Sequence, residues 1–373
     1  MTNNSNKKVL IGMSGGVDSS VAAYLLKKQG YDVIGVTMQI WEATDNNGTC
    51  CSLTAVEDAR KVASKLDIPH YVFNFKQSFD KKVIQYFISE YLQGKTPNPC
   101  IACNKHIKFD ELLNRAIKMD IDYVSTGHYA RIEKVKKQNK KRYILKKAKD
   151  KTKDQSYVLY NLTQEQLARS IFPLGNLTKK KVRKIAKKIG LGVSEKPDSQ
   201  EICFVEDNDY PKFIQEQTKK EFEKGDIVDL EGNILGQHGG IHKYTVGQRK
   251  GIKTMSNKPL YVVRIDTQRN EVVVGEEEDI YTRELIAEDL NWISIEKLEG
   301  ELKAKAKIRY RSEDADCTIS KIEEKNSGIG KVLVRFDKKQ RAITPGQSVV
   351  FYKKDVVLGG GIICTNDDTE TNT

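Results

Sequence analysis

Through residue 205, apolar positions fall into blocks that switch between two periods. Short apolar runs at Val9–Ile11, Val33–Met38, Tyr71–Phe75 and Tyr123–Thr126 predict strands. Between them apolar residues recur at helical spacing. Val17 to Gln29 is one such helix, closed by Gly30. Val56, Ala59, Ala63 and Leu66 mark a second ahead of Pro69, Phe79 to Gln93 a third ended by Gly94, and Ile107 to Met119 a fourth. Strand and helix in alternation build a parallel sheet. Tyr129–Ile132 and Arg142–Leu145 predict a hairpin around a lysine-rich loop. Thr178–Ile189 reads as a further helix, with Thr178 as cap, Gly190 as stop, and Val182, Ile185, Ala186 and Ile189 as its buried stripe.

Beyond residue 205 the helical period fades and glycines mark turns. Tyr261–Ile265 and Glu271–Val274 alternate apolar and polar residues. From Leu285 short strands dominate: Ala304–Tyr310, Cys317–Ile322, Lys331–Phe336 and Ser348–Tyr352. Regular short strands of this kind suggest a small barrel. The expected organisation is an α/β domain with a Rossmann-like parallel sheet over 1–205, a small α+β or β central domain over 206–282, and a C-terminal β-barrel over 283–373. The tail after Cys364, TNDDTETNT, is expected to be disordered. There is no internal repeat. A length of 373 residues agrees with two or three domains.

Composition narrows the class. With 38% hydrophobic and 31% charged residues the chain is globular rather than intrinsically disordered. No uninterrupted apolar run reaches the roughly 18 residues of a membrane helix, and MTNNSNKK lacks a signal-peptide core, so a cytoplasmic protein with no membrane association is expected. Seven cysteines in a reducing compartment argue for catalytic or metal-binding thiols over a disulfide framework. The net charge of +12 is unevenly spread. Between Arg131 and Gly190 stand 20 Lys/Arg against 4 Asp/Glu, a surplus of 16 that exceeds the charge of the whole chain. Lys179, Lys180, Lys181, Arg183, Lys184, Lys187 and Lys188 surround the apolar stripe of the 178–189 helix, beside the run Lys146, Lys147, Lys149, Lys151 and Lys153. Solvated helix faces mix both signs; a single-sign helix fits a phosphate backbone.

Gly12-Met-Ser-Gly-Gly-Val-Asp-Ser-Ser20 sits between a predicted strand and a predicted helix, where backbone N–H groups point at whatever occupies the helix N-terminus. Gly15 and Gly16 permit backbone geometry that a Cβ obstructs, and Ser14, Ser19 and Ser20 add hydroxyls. The loop has neither the Walker A lysine nor the Rossmann glycine spacing. A plain glycine turn with Asp18 favouring the helix dipole is the alternative. Two further segments carry thiols: Thr96-Pro-Asn-Pro-Cys100-Ile-Ala-Cys103-Asn-Lys105, stiffened by prolines ahead of a helix, and Asp198-Ser-Gln-Glu-Ile-Cys203-Phe. A helix N-terminus lowers a thiol pKa and makes a nucleophile or sulfur acceptor. Cys317 and Cys364 read as small buried hydrophobes, and Cys50-Cys51 in a polar loop stays open. His238 and His242 have H-x-x-x-H spacing, but the glycines between them deny the helix a metal pair would need.

SGGVDS resembles the PP-loop of the ATP pyrophosphatases, which split ATP between its α and β phosphates. Together with the Asn98-Pro99 to Cys103-Asn104 segment and the DSQEICF segment, the whole chain resembles the tRNA-specific 2-thiouridylases. The resemblance implies an ATP site of Gly12, Met13, Ser14, Gly15, Gly16, Val17, Asp18, Ser19, Met38 and Gly127, with Asp18 holding the magnesium–pyrophosphate unit. It implies that ATP adenylates the C2 oxygen of the wobble uridine, that Cys203 carries the incoming sulfur as a persulfide, and that Cys103 acts as the nucleophile that ends in a Cys103–Cys203 disulfide. Contacts to tRNA or the flipped-out base are implied for Asn98, Pro99, Cys100, His128, Lys153, Asp154, Gln155, Arg309, Tyr310 and Gln347. The implied partners are tRNAs for Lys, Glu and Gln, and a cysteine desulfurase or sulfur-relay protein as donor.

One departure stands out: many relatives have aspartate where this chain has Cys100, so that aspartate's role does not transfer. Cys100 is then either a bystander or, with Cys103 and Cys203, a ligand of an iron–sulfur cluster with one iron open. The persulfide route is favoured, since two cysteines suffice for it. Two other functions remain open: a PP-loop ligase adenylating a small metabolite, for which no ammonia-generating domain is evident, and an RNA-binding scaffold with a vestigial loop.

Overall fold

The computed structural model describes residues 6–41, 53–137, 140–196, 202–254, 258–322 and 330–364, without the side chains of Lys137, Lys140 and Glu206. Cys50-Cys51, Asp198 to Glu201 and the tail after Cys364 lie outside the described residues. The chain forms two compact units. One comprises Met1–Ile84, Pro99–Phe204 and Asp355–Val357; the other comprises Gln85–Asn98, Val205–Lys354 and Leu358–Thr373.

The first unit is the expected α/β layer. β1 (Lys8–Gly12), α1 (Val17–Lys28), β2 (Asp32–Gln39), α2 (Leu53–Lys65), β3 (His70–Asn74), β4 (Tyr123–Ser125) and the short β7 (Ser170–Ile171) give a parallel sheet of order β3-β2-β1-β4-β7. β1 is central and its Val9, Leu10 and Ile11 are fully buried, which is why it reads as a continuous apolar run. Val21, Ala22 and Leu26 of α1 and Ala59, Val62 and Ala63 of α2 join the same core. β3 is the edge strand, so Tyr71 and Val72 stay 50% and 36% exposed despite their β-forming side chains.

Two helical predictions change. Phe79–Gln93 is not one regular helix: Lys76–Phe79 gives way to wider turns at Asp80–Ile84, after which the chain passes for Gln85–Asn98 into the second unit, taking Gln85–Leu92 with it. The helix expected at Ile107 starts instead at Pro99, whose fixed φ suits a first helical position, and it widens over Asn104–Glu111 before Leu112–Lys118. The hairpin is present as β5 (Ala130–Lys137) and β6 (Lys140–Lys147), and it is longer than predicted. The Lys179–Lys188 helix has the expected cap, Thr178 Oγ1 accepting from Lys181 N at 3.3 Å, and stops at Gly190 with φ +66°. Its Val182 and Ala186 are buried.

The second unit holds two separate β cores. β8 (Gly225–Val228), β9 (Ile234–His238), β10 (Tyr261–Asp266) and β11 (Glu271–Gly275) form a sheet of order β10-β11-β8-β9 around Ile227, Tyr244, Val262, Val272 and Val274. The Tyr210–Thr218 helix accompanies it, and Tyr210 stacks on Tyr91 at 4.5 Å. β12 (Tyr281–Trp292), β13 (Leu302–Lys307), β14 (Ala315–Ile322), β15 (Lys331–Arg341), β16 (Ser348–Lys353) and β17 (Val356–Ile363) follow in the order β12-β15-β14-β13-β16-β17, and β12 pairs back to β17 to close the barrel. Alternate residues such as Cys317, Ile319, Val332, Val334, Phe336 and Phe351 fill it. Cys317 and Cys364 are buried as expected. Arg309 and Tyr310 lie in the turn after β13 rather than in the strand where the pattern placed them.

Candidate nucleotide and thiol site

β1 ends at Gly12 and α1 begins at Val17, so Met13–Gly16 is the crossing loop at the carboxyl edge of the sheet. Met13 N donates to Val36 O at 2.7 Å and Thr37 Oγ1 donates to Met13 O at 2.9 Å, which pins the loop to β2. Gly15 has φ +66°, and a Cβ there would strike the Ala55 backbone at the start of α2; only glycine fits. A Cβ on Gly12 would meet Met38 Cε at 3.3 Å, so these two expected ATP-site residues are neighbours. At Gly127 a Cβ would lie 2.7 Å from Ser19 N and 2.9 Å from Asp18 C, so the segment after β4 rests directly on the first turn of α1. Ser19 and Ser20 hydroxyls donate to Gly16 O at 3.2 and 2.7 Å, and both residues are buried; their oxygens brace the helix start.

Asp18, in the first turn of α1, has partners that no sequence signal announced. Tyr129 OH donates to Oδ1 at 2.7 Å and Lys179 Nζ donates to Oδ2 at 2.7 Å. The Lys179 side chain is 12% exposed and its ammonium lies 6.0 Å over the Tyr129 ring. Lys179 was expected among the solvent-facing cations of its helix; burial beside a carboxylate brings it inward instead. Arg183 also turns in, donating to Ser194 O and Lys196 O at 2.9 and 3.1 Å. Lys180, Lys181, Lys184, Lys187 and Lys188 are exposed. In the hairpin, Arg131 and Lys146 pair with Asp355 at 2.7 and 3.2 Å, and Lys146 also pairs with Glu133. The hydrogen bond to Glu133 is the main reason the Lys146 ammonium is held above its ordinary pKa. Part of the basic surplus is therefore spent inside the protein.

Cys100 and Cys103 sit one turn apart in the opening turns of the helix from Pro99, rather than in a loop before it. Cys100 is exposed and Cys103 is 8% exposed. The helix is locked by polar side chains: buried Asn104 donates to Val158 O at 2.8 Å, and Asn161 Nδ2 donates to Ile101 O at 3.4 Å. Half-buried Cys203 precedes Phe204, whose ring meets Phe79 edge-on at 5.7 Å. The Pro99–Cys103 turns pack on the adjoining Asp80–Ile84 turns. The Pro99–Cys103 turns and Phe204 thus both pack on helical residues 76–84, and Cys100, Cys103 and Cys203 are thiols here. Among the described residues no group of three His, Cys, Asp or Glu side chains is placed to hold a metal ion. Among the described residues, Cys100, Cys103 and Cys203 are not grouped as the ligand set that an iron–sulfur cluster needs.

Several expected RNA contacts have other work. His128 is 8% exposed, packed 6.0 Å from the rings of Phe109 and Phe172, with Nδ1 2.7 Å from Thr126 Oγ1. Desolvation, aided by Lys108, holds its pKa well below the usual imidazole range. Asp154 accepts from Ala148 N and from Ser156 Oγ at 2.8 and 2.7 Å, and Gln155 Oε1 accepts from Tyr129 N at 2.9 Å, so both hold the turn that ends beside Tyr129. Lys153 is half-buried. In the second unit the Arg309 guanidinium bonds Ala342 O and Thr344 Oγ1, and Gln347 Nε2 donates to Thr96 O at 2.7 Å. Asn98 is half-buried there, and Tyr310 is 36% exposed with Lys307 Nζ 5.8 Å over its ring. His238 bonds Asn270 O at 3.0 Å.

Three family models match in tandem: the tRNA methyl transferase HUP domain over 7–207, the tRNA methyl transferase PRC-barrel domain over 211–276, and the aminomethyltransferase β-barrel domain over 282–363. The chain is 60% identical over 364 residues to the tRNA-specific 2-thiouridylase MnmA of Acetivibrio thermocellus, covering 96% of this chain and 99% of that protein. It is 56% identical over 361 residues to the protein of that name from Clostridioides difficile, covering 96% and 98%. Among solved structures, NMN synthetase from Francisella tularensis matches 58% of this chain and 78% of its own at 20% identity, with a TM-score of 0.33.

Proposed function

Because this chain belongs to the tRNA-specific 2-thiouridylase family, we propose that it installs sulfur at C2 of the wobble uridine of tRNA. It is an ATP-using tRNA-uridine 2-sulfurtransferase of the PP-loop type. The observation that carries the mechanistic reading is that the phosphate loop, Cys103 and Cys203 belong to one unit, with the Pro99–Cys103 turns and Phe204 both packed on helical residues 76–84.

In the first step the uridine C2 oxygen attacks the α-phosphorus of ATP and pyrophosphate leaves. Loop residues Gly12 to Ser19 cradle the phosphates and Met38 and Gly127 border the nucleotide; Asp18, bonded through both oxygens to Tyr129 and Lys179, offers no open oxygen to the magnesium that accompanies ATP. The exchange turns a poor oxygen leaving group into AMP. In the second step the terminal sulfur of a Cys203 persulfide attacks C2 and AMP departs, leaving uridine linked through two sulfurs to Cys203. The Cys103 thiolate then attacks the Cys203 sulfur, which releases 2-thiouridine and forms the Cys103–Cys203 disulfide; a thiol reductant resets both residues. Thiols suit these exchanges at neutral pH in a way hydroxyls do not. The exposed lysines of the Lys179–Lys188 helix and Tyr310 grip the RNA, and Asn98, Pro99 and Cys100 approach the base. Residues 1–205 act as the catalytic domain, 206–282 as the central domain and 283–373 as the barrel, in the cytoplasm, with a cysteine desulfurase or relay protein supplying sulfur to Cys203 and tRNAs for Lys, Glu and Gln as substrates.

The test is nucleoside mass spectrometry of tRNA incubated with ATP and a persulfide donor, alongside pyrophosphate release. Cys103→Ser and Cys203→Ser are expected to abolish 2-thiouridine while keeping tRNA-dependent pyrophosphate release. Pyrophosphate release independent of tRNA, or 2-thiouridine formed by either variant, sinks the reading.

A further inference from the structure

Lys179 opens a helix whose other lysines face solvent, yet its ammonium is 2.7 Å from Asp18 Oδ2 and its side chain is 12% exposed. Two separate segments converge on this carboxylate, and a third holds them both. Tyr129 takes the other oxygen at 2.7 Å; Gln155, held by Asp154's turn, fixes the Tyr129 backbone; and Asp150 Oδ2 accepts from Lys179 N at 2.9 Å, which anchors the lysine's backbone. Gly127 lets the Tyr129 segment come within contact of the Asp18 backbone. Asp18 lies in the first turn of α1, at the loop that receives polyphosphate. A bare carboxylate in that place repels the phosphates it borders, and in a partly desolvated site the repulsion is strong.

We propose that Lys179 is a positioning residue of the nucleotide site: it neutralises and orients Asp18 so that polyphosphate can settle on the loop, and it is not part of the RNA footprint formed by its neighbours. The role rests on the PP-loop reading of Gly12–Ser20 given above. It divides one helix between two substrates. Lys179 serves ATP through Asp18, while Lys180, Lys181, Lys184, Lys187 and Lys188 serve the RNA backbone. Tyr129 shares the first task by fixing Oδ1.

Calorimetric binding of ATP, adenosine and tRNA to the full-length protein, with magnesium present, tests the proposal. Lys179→Met is expected to weaken ATP binding at least about 10-fold, while adenosine, which has no phosphate to repel, and tRNA stay within about twofold. Lys179→Arg, which keeps the charge, is expected to restore ATP binding to within about threefold. Lys180→Gln/Lys184→Gln is expected to show the converse, weakening tRNA and sparing ATP. Unchanged ATP affinity in Lys179→Met, a parallel loss of adenosine binding, or a loss of tRNA binding matching that of the double variant would each overturn it. A melting curve for each variant reports any folding defect, and Lys179→Arg keeps the test decisive if Lys179→Met proves unstable. Loss of 2-thiouridine chemistry with this binding pattern intact would count against the thiolation mechanism and not against Lys179.

Discussion

Each functional side chain is defined by what surrounds it. The cysteines show this best. Cys317 is buried in the barrel, where desolvation, helped by Asp337 and Asp316, pushes its thiol up to about 12. Cys100 is exposed in the first turn of a helix, within reach of a reagent in solution. Iodoacetamide at pH 8 followed by peptide mass spectrometry is therefore expected to label Cys100 first and leave Cys317 unmodified until the protein unfolds. Early labelling of Cys317 would contradict the barrel packing. His242 gives a pH prediction. It is fully buried against Phe222, 3.8 Å between ring centres, and neither ring nitrogen finds a hydrogen-bond partner among the described residues. Desolvation, with Lys243 and then His238 adding to it, lowers its pKa to about 4. Below its unfolded value near 6.5 the unfolded chain takes up a proton that the folded chain refuses until about 4. This contribution, on the order of 2 kcal/mol, is thus complete above pH ~6.5 and lost as pH falls towards 4. Melting of His242→Leu across that range is expected to be flatter with pH than that of the parent; an equal acid slope would remove His242 from the account.

At the scale of elements, the Lys179–Lys188 helix carries the clearest consequences. Thr178 caps it through Lys181 N, so Thr178→Ala is expected to cost about 1 kcal/mol in urea denaturation. Exchanging exposed Lys180, Lys184 and Lys187 for Gln leaves the Val182/Ala186 stripe untouched. The slope of log tRNA affinity against log salt is expected to flatten by about 1 for each phosphate contact removed. An unchanged slope would place the RNA elsewhere. Periodicity identified this helix, its cap and its stop, because those are local properties. It did not distinguish Lys179 from Lys180, since which lysine meets a carboxylate depends on Asp18, far away in sequence. The missed strands have a similar cause. β17 reads VVLGGGII, and its glycines look like a turn until β12 is laid beside them. A Cβ at Gly359 or Gly361 would strike the backbone oxygens of Asn291 or Glu288. Only pairing explains glycine there.

At the scale of the molecule, the two units have separate hydrophobic cores, and the nucleotide loop lies wholly in one of them. A ligand stabilises what it binds, by about 2.7 kcal/mol at a hundredfold excess over its Kd. ATP is expected to slow hydrogen exchange in β1, α1 and the segment after β4 without changing the strands of the barrel core. Equal protection of β13 and β14 would show that nucleotide binding is felt throughout the chain.

The sequence by itself determined the α/β first layer, the β-rich remainder, the phosphate loop and the three thiols worth considering, because hydrophobic period, turn residues and helix ends act over a few neighbouring positions. Tertiary structure alone decided which polar groups are spent inside: Lys179 and Tyr129 on Asp18, Asp154 and Gln155 on a turn, Gln347 on Thr96, His128 between two phenylalanines. It also decided that the Pro99–Cys103 turns and Phe204, next to Cys203, pack on helical residues 76–84 from segments a hundred residues apart. The physical reason is range. A side chain's backbone preference is set by its neighbours in the chain, whereas its charge state, exposure and hydrogen-bond partner are set by whatever the folded chain brings against it.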